Sequence, residues 1–289
     1  MMLRDRAALI TGAGQGLGAA IAARFVAEGA SVMLCARGAA RLEAVAAALR
    51  RHCRPGQQVL TGVADLTQPP QVDALVAAAL AAFPQLDILV NNAGIAGPIG
   101  PLEETDWLAW VAAVNVNLLG TVYACRALLP QLKRRGGGRI INLSGGGATS
   151  PMPRLTAYAA SKAAVVRFTE SLALELAGSG ITVNAIAPGA LATTMTEEML
   201  AAGPERAGAG FHARMQAVHQ GAGTPLERGA ALAAFLASAE GDGISGRLIS
   251  AAWDPWPRLR QHLQALRETD IYTLRRIVPA DRGQDWGEP

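Results

Sequence analysis

Tyr158 and Lys162 stand four residues apart in the run Tyr158-Ala159-Ala160-Ser161-Lys162. On a helix that spacing puts both on one face, so an ammonium sits beside a phenol hydroxyl. Free tyrosine titrates near pH 10, and a neighbouring positive charge favours the phenolate; a fall of roughly three units corresponds to about 4 kcal/mol. Such a phenol can hand a proton to a carbonyl oxygen or accept one from an alcohol. An isolated Tyr-x-x-x-Lys is more simply an exposed helical pair, so its surroundings decide.

The second feature is Thr11-Gly12-Ala13-Gly14-Gln15-Gly16-Leu17-Gly18, set between an apolar run and an alanine-rich helical stretch. Glycines there let the backbone turn tightly and approach a pyrophosphate, whose charge the helix N-terminus receives. Gly12, Gln15, Gly16, Leu17 and Gly18 are therefore candidate dinucleotide-binding residues. At the end of the next apolar run, a carboxylate would bond the ribose 2′-hydroxyl of NAD, but the chain reads Cys35-Ala36-Arg37. A guanidinium suits a 2′-phosphate in charge and geometry. The expectation is NADP(H), with Arg37 making the distinction; Arg41, one helical turn on, either assists or faces water.

The elements that must position these groups alternate along the chain. Strands are expected at Ala7–Thr11, Ser31–Ala36, Val59–Val63, Leu86–Asn91, Arg139–Ser144, Thr182–Ala187 and Arg247–Ala251. Helices are expected at Gly16–Glu28, Ala40–Arg51, Pro70–Phe83, Glu103–Arg134, Ala157–Ala177 and Leu226–Ser238. This alternation means βαβ units and a doubly wound parallel α/β sheet (a Rossmann fold) of about seven strands, with helices on both faces. Residues 1–252 are read as one domain. Leu191 to Thr224, with weak periodicity, reads as a mobile lid or substrate loop. Residues 253–289 read as an extension, with Arg258–Arg267 a short helix; it either packs on the body or reaches a neighbouring subunit.

Composition narrows the classes. The chain has 289 residues and a net charge of +3, with no basic run longer than Lys133-Arg134-Arg135, so no nucleic-acid partner is expected. Aromatics are 4%, so the core must be built from Ala, Val, Leu and Ile. Cys35, Cys53 and Cys125 form no CxxC pair and the four histidines have no ligand spacing, which predicts no metal and a reducing compartment. The apolar stretch Val72–Phe83 falls short of the roughly 20 residues that span a bilayer, and no signal peptide is read. A cytoplasmic protein without a membrane partner is expected.

Taken together, the motifs resemble the single-domain branch of the short-chain dehydrogenase/reductase family. Thr11, Gly12, Gly16 and Gly18 match TGxxxGxG; Asn91-Asn92-Ala93-Gly94 matches NNAG; Tyr158 and Lys162 match YxxxK; Pro188-Gly189 and Thr193 match PGxxxT; Asp65-Leu66 stands where the family contacts adenine. The resemblance covers about residues 4 to 251, in the family's order. It implies that Asp65, Leu66, Asn92, Ala93, Gly94, Tyr158, Lys162, Pro188, Gly189 and Thr193 also hold the cofactor. It further implies that Tyr158 is the general acid/base, assisted by Lys162, and that Asn117, in Asn117-Leu118-Leu119-Gly120, is the relay asparagine. Asn115 is then a structural helix residue. The implied activity is NADP(H)-dependent interconversion of a small-molecule carbonyl and its alcohol.

Two departures stand out. The family's serine, 13 residues before the tyrosine, is here Gly145; either Ser144 is re-aimed into the site, another group such as Thr149 or Ser150 replaces it, or the contact is missing, and of these Ser144 is the expected catalytic serine. Losing one such donor costs about 3 to 4 kcal/mol elsewhere. The usual apolar-Asp-Gly-Gly ending is replaced by Ser250-Ala251-Ala252-Trp253-Asp254-Pro255-Trp256, which puts the usual tetramer in doubt. The helices Glu103–Arg134 and Ala157–Ala177 resemble the family's dimer surface, so a homodimer or homotetramer is implied. Met152, Met195, Met199 and Phe211 either line the pocket or pack the lid. Two other readings remain: a 3-oxoacyl-carrier-protein reductase, for which Arg154 and Arg167 supply little basic surface, and a non-catalytic NADP(H)-binding sensor.

Overall fold

A computed structural model describes residues 1–287. In chain order the elements are β1 (Ala7–Thr11), α1 (Gly16–Ala27), β2 (Ser31–Ala36), α2 (Ala39–Arg50), β3 (Val59–Val63), α3 (Pro69–Ala82), β4 (Leu86–Asn91), α4 (Trp107–Val114), α5 (Gly120–Arg135), β5 (Gly138–Leu143), α6 (Thr156–Glu175) and β6 (Ile181–Ala187). There follow α7 (Thr194–Ala201), α8 (Gly203–Ala207), α9 (Ala209–Ala217), α10 (Leu226–Ala237), β7 (Leu248–Ser250) and α11 (Leu263–Glu268). The seven strands form one sheet in the order β3-β2-β1-β4-β5-β6-β7, and every pairing is parallel. The chain winds outward from β1 to β3 and then returns to β4 beside β1. That reversal opens a crevice beyond the C-terminal ends of β1 and β4.

All five residues of β1 are fully buried, because both faces of the sheet are covered. Ala8 and Ile10 face a cluster with Ile21 and Phe25 of α1 and Leu232 and Phe235 of α10. Ala7 and Leu9 face the opposite cluster, with Leu75 of α3, Leu128 of α5 and Leu172 of α6. The alternation is the period of two of a pleated strand. Alanine supplies much of the contact surface, for example Ala233, Ala234 and Ala237 of α10, which brings the helices close to the sheet.

The strand and helix spans read from the sequence match these elements within a residue or two, except in three places. The stretch expected as one helix, Glu103–Arg134, begins at Trp107, where the Asp106 carboxylate caps it by accepting from Ala109 N at 2.8 Å. It then loosens into a π turn at Asn115–Leu119 before continuing as α5. The run Trp107–Arg135 is long and apolar enough to cross a membrane. Its Ala124, Leu128 and Leu132 are instead packed into the protein core. The second place is Leu191 to Thr224, expected as a loop: it holds three short helices, α7 to α9.

The third is the tail, which packs on the body. Its helical part divides into a 3-10 turn, Trp256–His262, and α11. Leu259 and Leu266 are buried, and Trp256 packs against Phe235 with ring centroids 5.5 Å apart. The buried Arg247 guanidinium donates to three tail carbonyls, those of Leu266, Thr269 (3.1 Å) and Ile271 (2.8 Å). Leu248 N, on the edge strand, donates to Tyr272 O at 2.9 Å. Leu266→Ala should therefore lower the unfolding free energy by about 2–5 kcal/mol, the range for a buried leucine. Urea denaturation checks this; a cost below about 0.5 kcal/mol would show that the tail is not part of the cooperative unit.

Candidate active site

The glycine loop is held against the end of β4 by a compact set of hydrogen bonds. Thr11 Oγ1 donates to Val90 O (3.3 Å) and accepts from Asn92 N (3.0 Å) and Ala93 N (3.2 Å). The Asn92 amide donates to Thr11 O and Gly12 O, each at 3.1 Å. Gly12 has φ +64°, and a Cβ there would lie 2.8 Å from Ala93 Cα. Gly18 faces inward, where any side chain would collide with Gly12 O, so it shapes the loop and does not line the cleft. The N-cap of α1, Gln15, makes no side-chain cap and the first turn carries no acid. Its amides are thus available to an anion.

The cleft that continues from this loop has a volume of about 1530 Å³. Gly12, Gln15, Gly16, Leu17, Arg37, Asp65, Leu66, Asn92, Ala93, Gly94, Pro188, Gly189 and Thr193, the residues expected to hold a cofactor, all line it. Arg37 is exposed at one end, with no ion pair among the described residues. Arg41 Nη1 donates to Gln15 Oε1 at 2.6 Å, so it braces the glycine loop. The Asp65 carboxylate accepts from Thr67 N (2.9 Å) and Thr67 Oγ1 (2.8 Å), which holds the turn after β3. A nicotinamide dinucleotide fits this donor set: bare backbone amides at a helix N-terminus, a free cation at one end and a proton-bearing phenol at the other.

At that other end α6 carries Tyr158 and Lys162. Both line the cleft, and Lys162 Nζ lies 5.9 Å from the Tyr158 ring centroid. Lys162 is buried and its ammonium donates to Leu143 O, at the end of β5, at 2.7 Å. Asn117 is fully buried behind the cleft in the π turn. Its Oδ1 accepts from Ile95 N (2.8 Å), and its Nδ2 donates to Ile95 O (3.0 Å) and Ser161 Oγ (2.9 Å). The asparagine thus ties the segment after Gly94 to the helix that carries the tyrosine.

Two expectations change here. The positive charge does not lower the phenol's pKa in this structure: desolvation pushes Tyr158 up to about 12 and Lys162 down to about 8. The ammonium spends a hydrogen bond on Leu143 O and does not reach over to the phenol, so burial dominates for both groups. Ser144, expected to stand in for the missing serine, lines the cleft, but its hydroxyl donates to Lys162 O at 3.2 Å. That contact steadies α6, and the residue beside the Tyr158 hydroxyl is Gly145.

Beyond Tyr158 the cleft becomes apolar. Met152, Met195, Phe211 and Met215 pack around Met199 and Leu155, next to Tyr158 itself. Both roles considered for the methionines hold, since they line the cleft and pack the α7–α9 segment. That segment is fastened: Arg154 donates to Glu205 O and Arg206 O, and Arg206 Nε donates to Ile99 O at 3.1 Å. Met215, Trp253 and Asp254 also line the cleft and escaped the sequence reading. Nothing local marks them, because the fold alone brings Met215 of α9 and the turn after β7 to this rim.

The sheet order, the switch-point cleft and the Tyr–Lys pair define a dinucleotide-dependent oxidoreductase architecture. Residues 6–203, well over half the chain, match the short chain dehydrogenase family, and this protein belongs to it. The 3beta-hydroxysteroid dehydrogenase 1 of Eggerthella lenta is 39% identical over 248 residues, covering 86% of this chain and 92% of that protein. The crystal structure of an NAD+-bound xylitol dehydrogenase is similar with a TM-score of 0.80 and 25% identity, over 86% of this chain and 98% of that one. A variant actinorhodin polyketide ketoreductase crystallised with NADPH gives a TM-score of 0.76 and 31% identity, over 85% and 95%.

Asn117→Ala would take away the partner of the part-buried Ile95 amide and carbonyl. Each orphaned group costs about 1–3 kcal/mol. Chemical denaturation should show a loss of at least that size, and an unchanged midpoint would remove Asn117 as the link between the two segments.

Proposed function

We propose that this protein interconverts a ketone or aldehyde and its alcohol with NADP(H), Tyr158 acting as general acid/base. The observation that carries the reading is the meeting of Tyr158, Lys162 and the Asn117 network at the end of a cleft that begins in a phosphate-ready glycine loop. Bound along that cleft, the nicotinamide supplies or accepts hydride. The phenol, protonated at neutral pH, gives its Oη proton to the carbonyl oxygen as hydride arrives at the carbon, leaving a phenolate; in the oxidation direction that ionised form accepts the alcohol proton. Lys162 keeps its charge close to the reacting end while Leu143 O fixes its position. Ser144 and Asn117 hold the helix and loop so that the proton stays at one place. The first test is carbonyl-dependent oxidation of NADPH over a panel of diketones, quinones, aryl ketones and thioesters. Tyr158→Phe serves as the control and should retain cofactor binding while losing turnover.

Arg37 supports NADP(H): it follows β2 at one end of the cleft and has no ion pair among the described residues, which suits a 2′-phosphate. The relatives do not choose between the cofactors, since one solved neighbour holds NAD+ and another NADPH. Arg37→Ala should weaken NADPH about tenfold, equivalent to about 1.4 kcal/mol, with little effect on NADH. Titration calorimetry with each cofactor decides, and equal losses would remove Arg37 from the 2′-phosphate site. The methionine-lined end supports a bulky apolar substrate. A hydroxysteroid dehydrogenase and a polyketide ketoreductase among the similar proteins point the same way.

Burial sets the pH dependence. With its pKa lowered to about 8, Lys162 is charged below that pH and neutral above it in the folded protein. Tyr158, near 12, stays protonated throughout that range. For carbonyl reduction, kcat/KM for NADPH should be flat below about pH 8 and fall above it. Lys162→Met should remove that limb; a profile unchanged in the variant would show that another group titrates. Folding stability carries the opposite sign from the same group, since the unfolded chain binds the proton more tightly: the Lys162 contribution grows as pH rises from about 8 towards 10.5.

A second copy of the chain is the partner this reading takes. Trp107, Leu108 and Leu174 are exposed, at 66%, 77% and 80%, on α4 and α6. They support a homodimer across those helices. Three free cysteines support a reducing, cytoplasmic setting.

A further inference from the structure

Among the described residues no large apolar side chain is more exposed than Trp253, at 85%. Its backbone, by contrast, is held at every step. Ser250 Oγ accepts from Ala252 N (3.3 Å) and Trp253 N (3.2 Å), and Ser250 N donates to the Asp254 carboxylate at 2.6 Å. The turn is tied to its neighbours through Ala251 N, which donates to Ala187 O (2.9 Å), and Arg228 Nε, which donates to Ala251 O (3.1 Å). The indole therefore stands on a fixed mount, and that mount is part of the cleft wall. Trp256, three residues on, has a different fate: it packs on Phe235 and stabilises the tail. A second copy of the chain cannot cover Trp253 by adding a strand at β7, because the tail already lies on that edge. Leu248 N donates to Tyr272 O at 2.9 Å, and Leu274 N donates to the Glu170 carboxylate at 2.6 Å. What remains open to the indole is the cleft, whose wall also carries Met152, Met195, Met199, Phe211 and Met215.

We infer that Trp253 is a substrate-contacting specificity residue, whose indole covers the outer end of a bulky apolar ketone or alcohol that has its reacting carbon at Tyr158. An indole offers a large flat face and has few torsions to freeze, so it gains much from an apolar ring laid against it. A small carbonyl that fills only the Tyr158 end does not reach the rim and gains nothing from it. The inference deepens the carbonyl/alcohol reading above and rests on it for its kinetic arm.

Kinetics read the contact as a selectivity. The ratio of kcat/KM for a decalone to that for butanedione should fall at least about tenfold in Trp253→Ala, the scale of one apolar contact in a specificity pocket. Trp253→Phe, which keeps a ring, should recover most of that ratio. An unchanged ratio in Trp253→Ala overturns the inference, as does a wild-type enzyme that reduces butanedione and ignores the decalone. Fluorescence reads the contact without turnover. Adding the corresponding decalol to the wild-type protein should change its tryptophan emission, and Trp253→Phe should show less than half of that change. No change in the wild type, or an equal change in both, overturns the inference. Trp253→Ala should also sediment as the wild type does; a smaller oligomer would make Trp253 a contact between copies and overturn the inference. A wild-type protein that turns over neither carbonyl fails the activity reading instead, and the fluorescence arm still decides the role of Trp253.

Discussion

The close approach of the glycine loop to the end of β4 is the constraint on which the rest of the site depends. Two elements about eighty residues apart in sequence meet because β4 returns to pair with β1, and the Asn92 amide locks them by bonding two successive carbonyls of the loop. Gly12 and Gly18 leave no room for a side chain in that contact. Once it is made, α1 can only leave the sheet at one angle, and its free amides face the crevice. The same contact sets where Gly94 and Ile95 run, and so where Asn117 must reach.

The reacting end is built differently, from buried polar groups that would be costly if unpaired. Asn117 satisfies three partners, and Lys162 points its ammonium at a strand-end carbonyl. The π turn is the local irregularity that serves this end, at the place where the long helix carries Asn117. Such networks hold the helix that carries the phenol at the expense of helix regularity. The price is a lysine whose charge is disfavoured by its surroundings, which makes the pair sensitive to pH near the physiological range.

Two segments outside the sheet complete the enclosure. The α7–α9 segment is fastened by arginine contacts to backbone carbonyls, which do not depend on particular partner side chains. The tail closes the open edge of β7 and buries its own leucines. In doing so it places Trp253 at the rim and takes up the edge strand's free amide at Leu248.

Much of the architecture was legible in the amino-acid order. Apolar runs of five or six residues and alanine-rich amphipathic stretches carry their own periodicity, so β1 to β4 and α1 were read almost to the residue. The residues that line the cleft were legible for a similar reason: glycine spacing and the Tyr–Lys pair are short-range patterns. Three things were not. The ionisation of Tyr158 and Lys162 depends on how much water the folded cleft removes, and no spacing records that. The partner of the Ser144 hydroxyl depends on a carbonyl eighteen residues away, across the packing of α6 on β5. The nearness of Gly145 to the Tyr158 hydroxyl comes from the packing of the loop after β5 against α6. Local pattern determined the elements and the chemical types of the site, whereas desolvation and close packing, which act between segments, decided what each group does there.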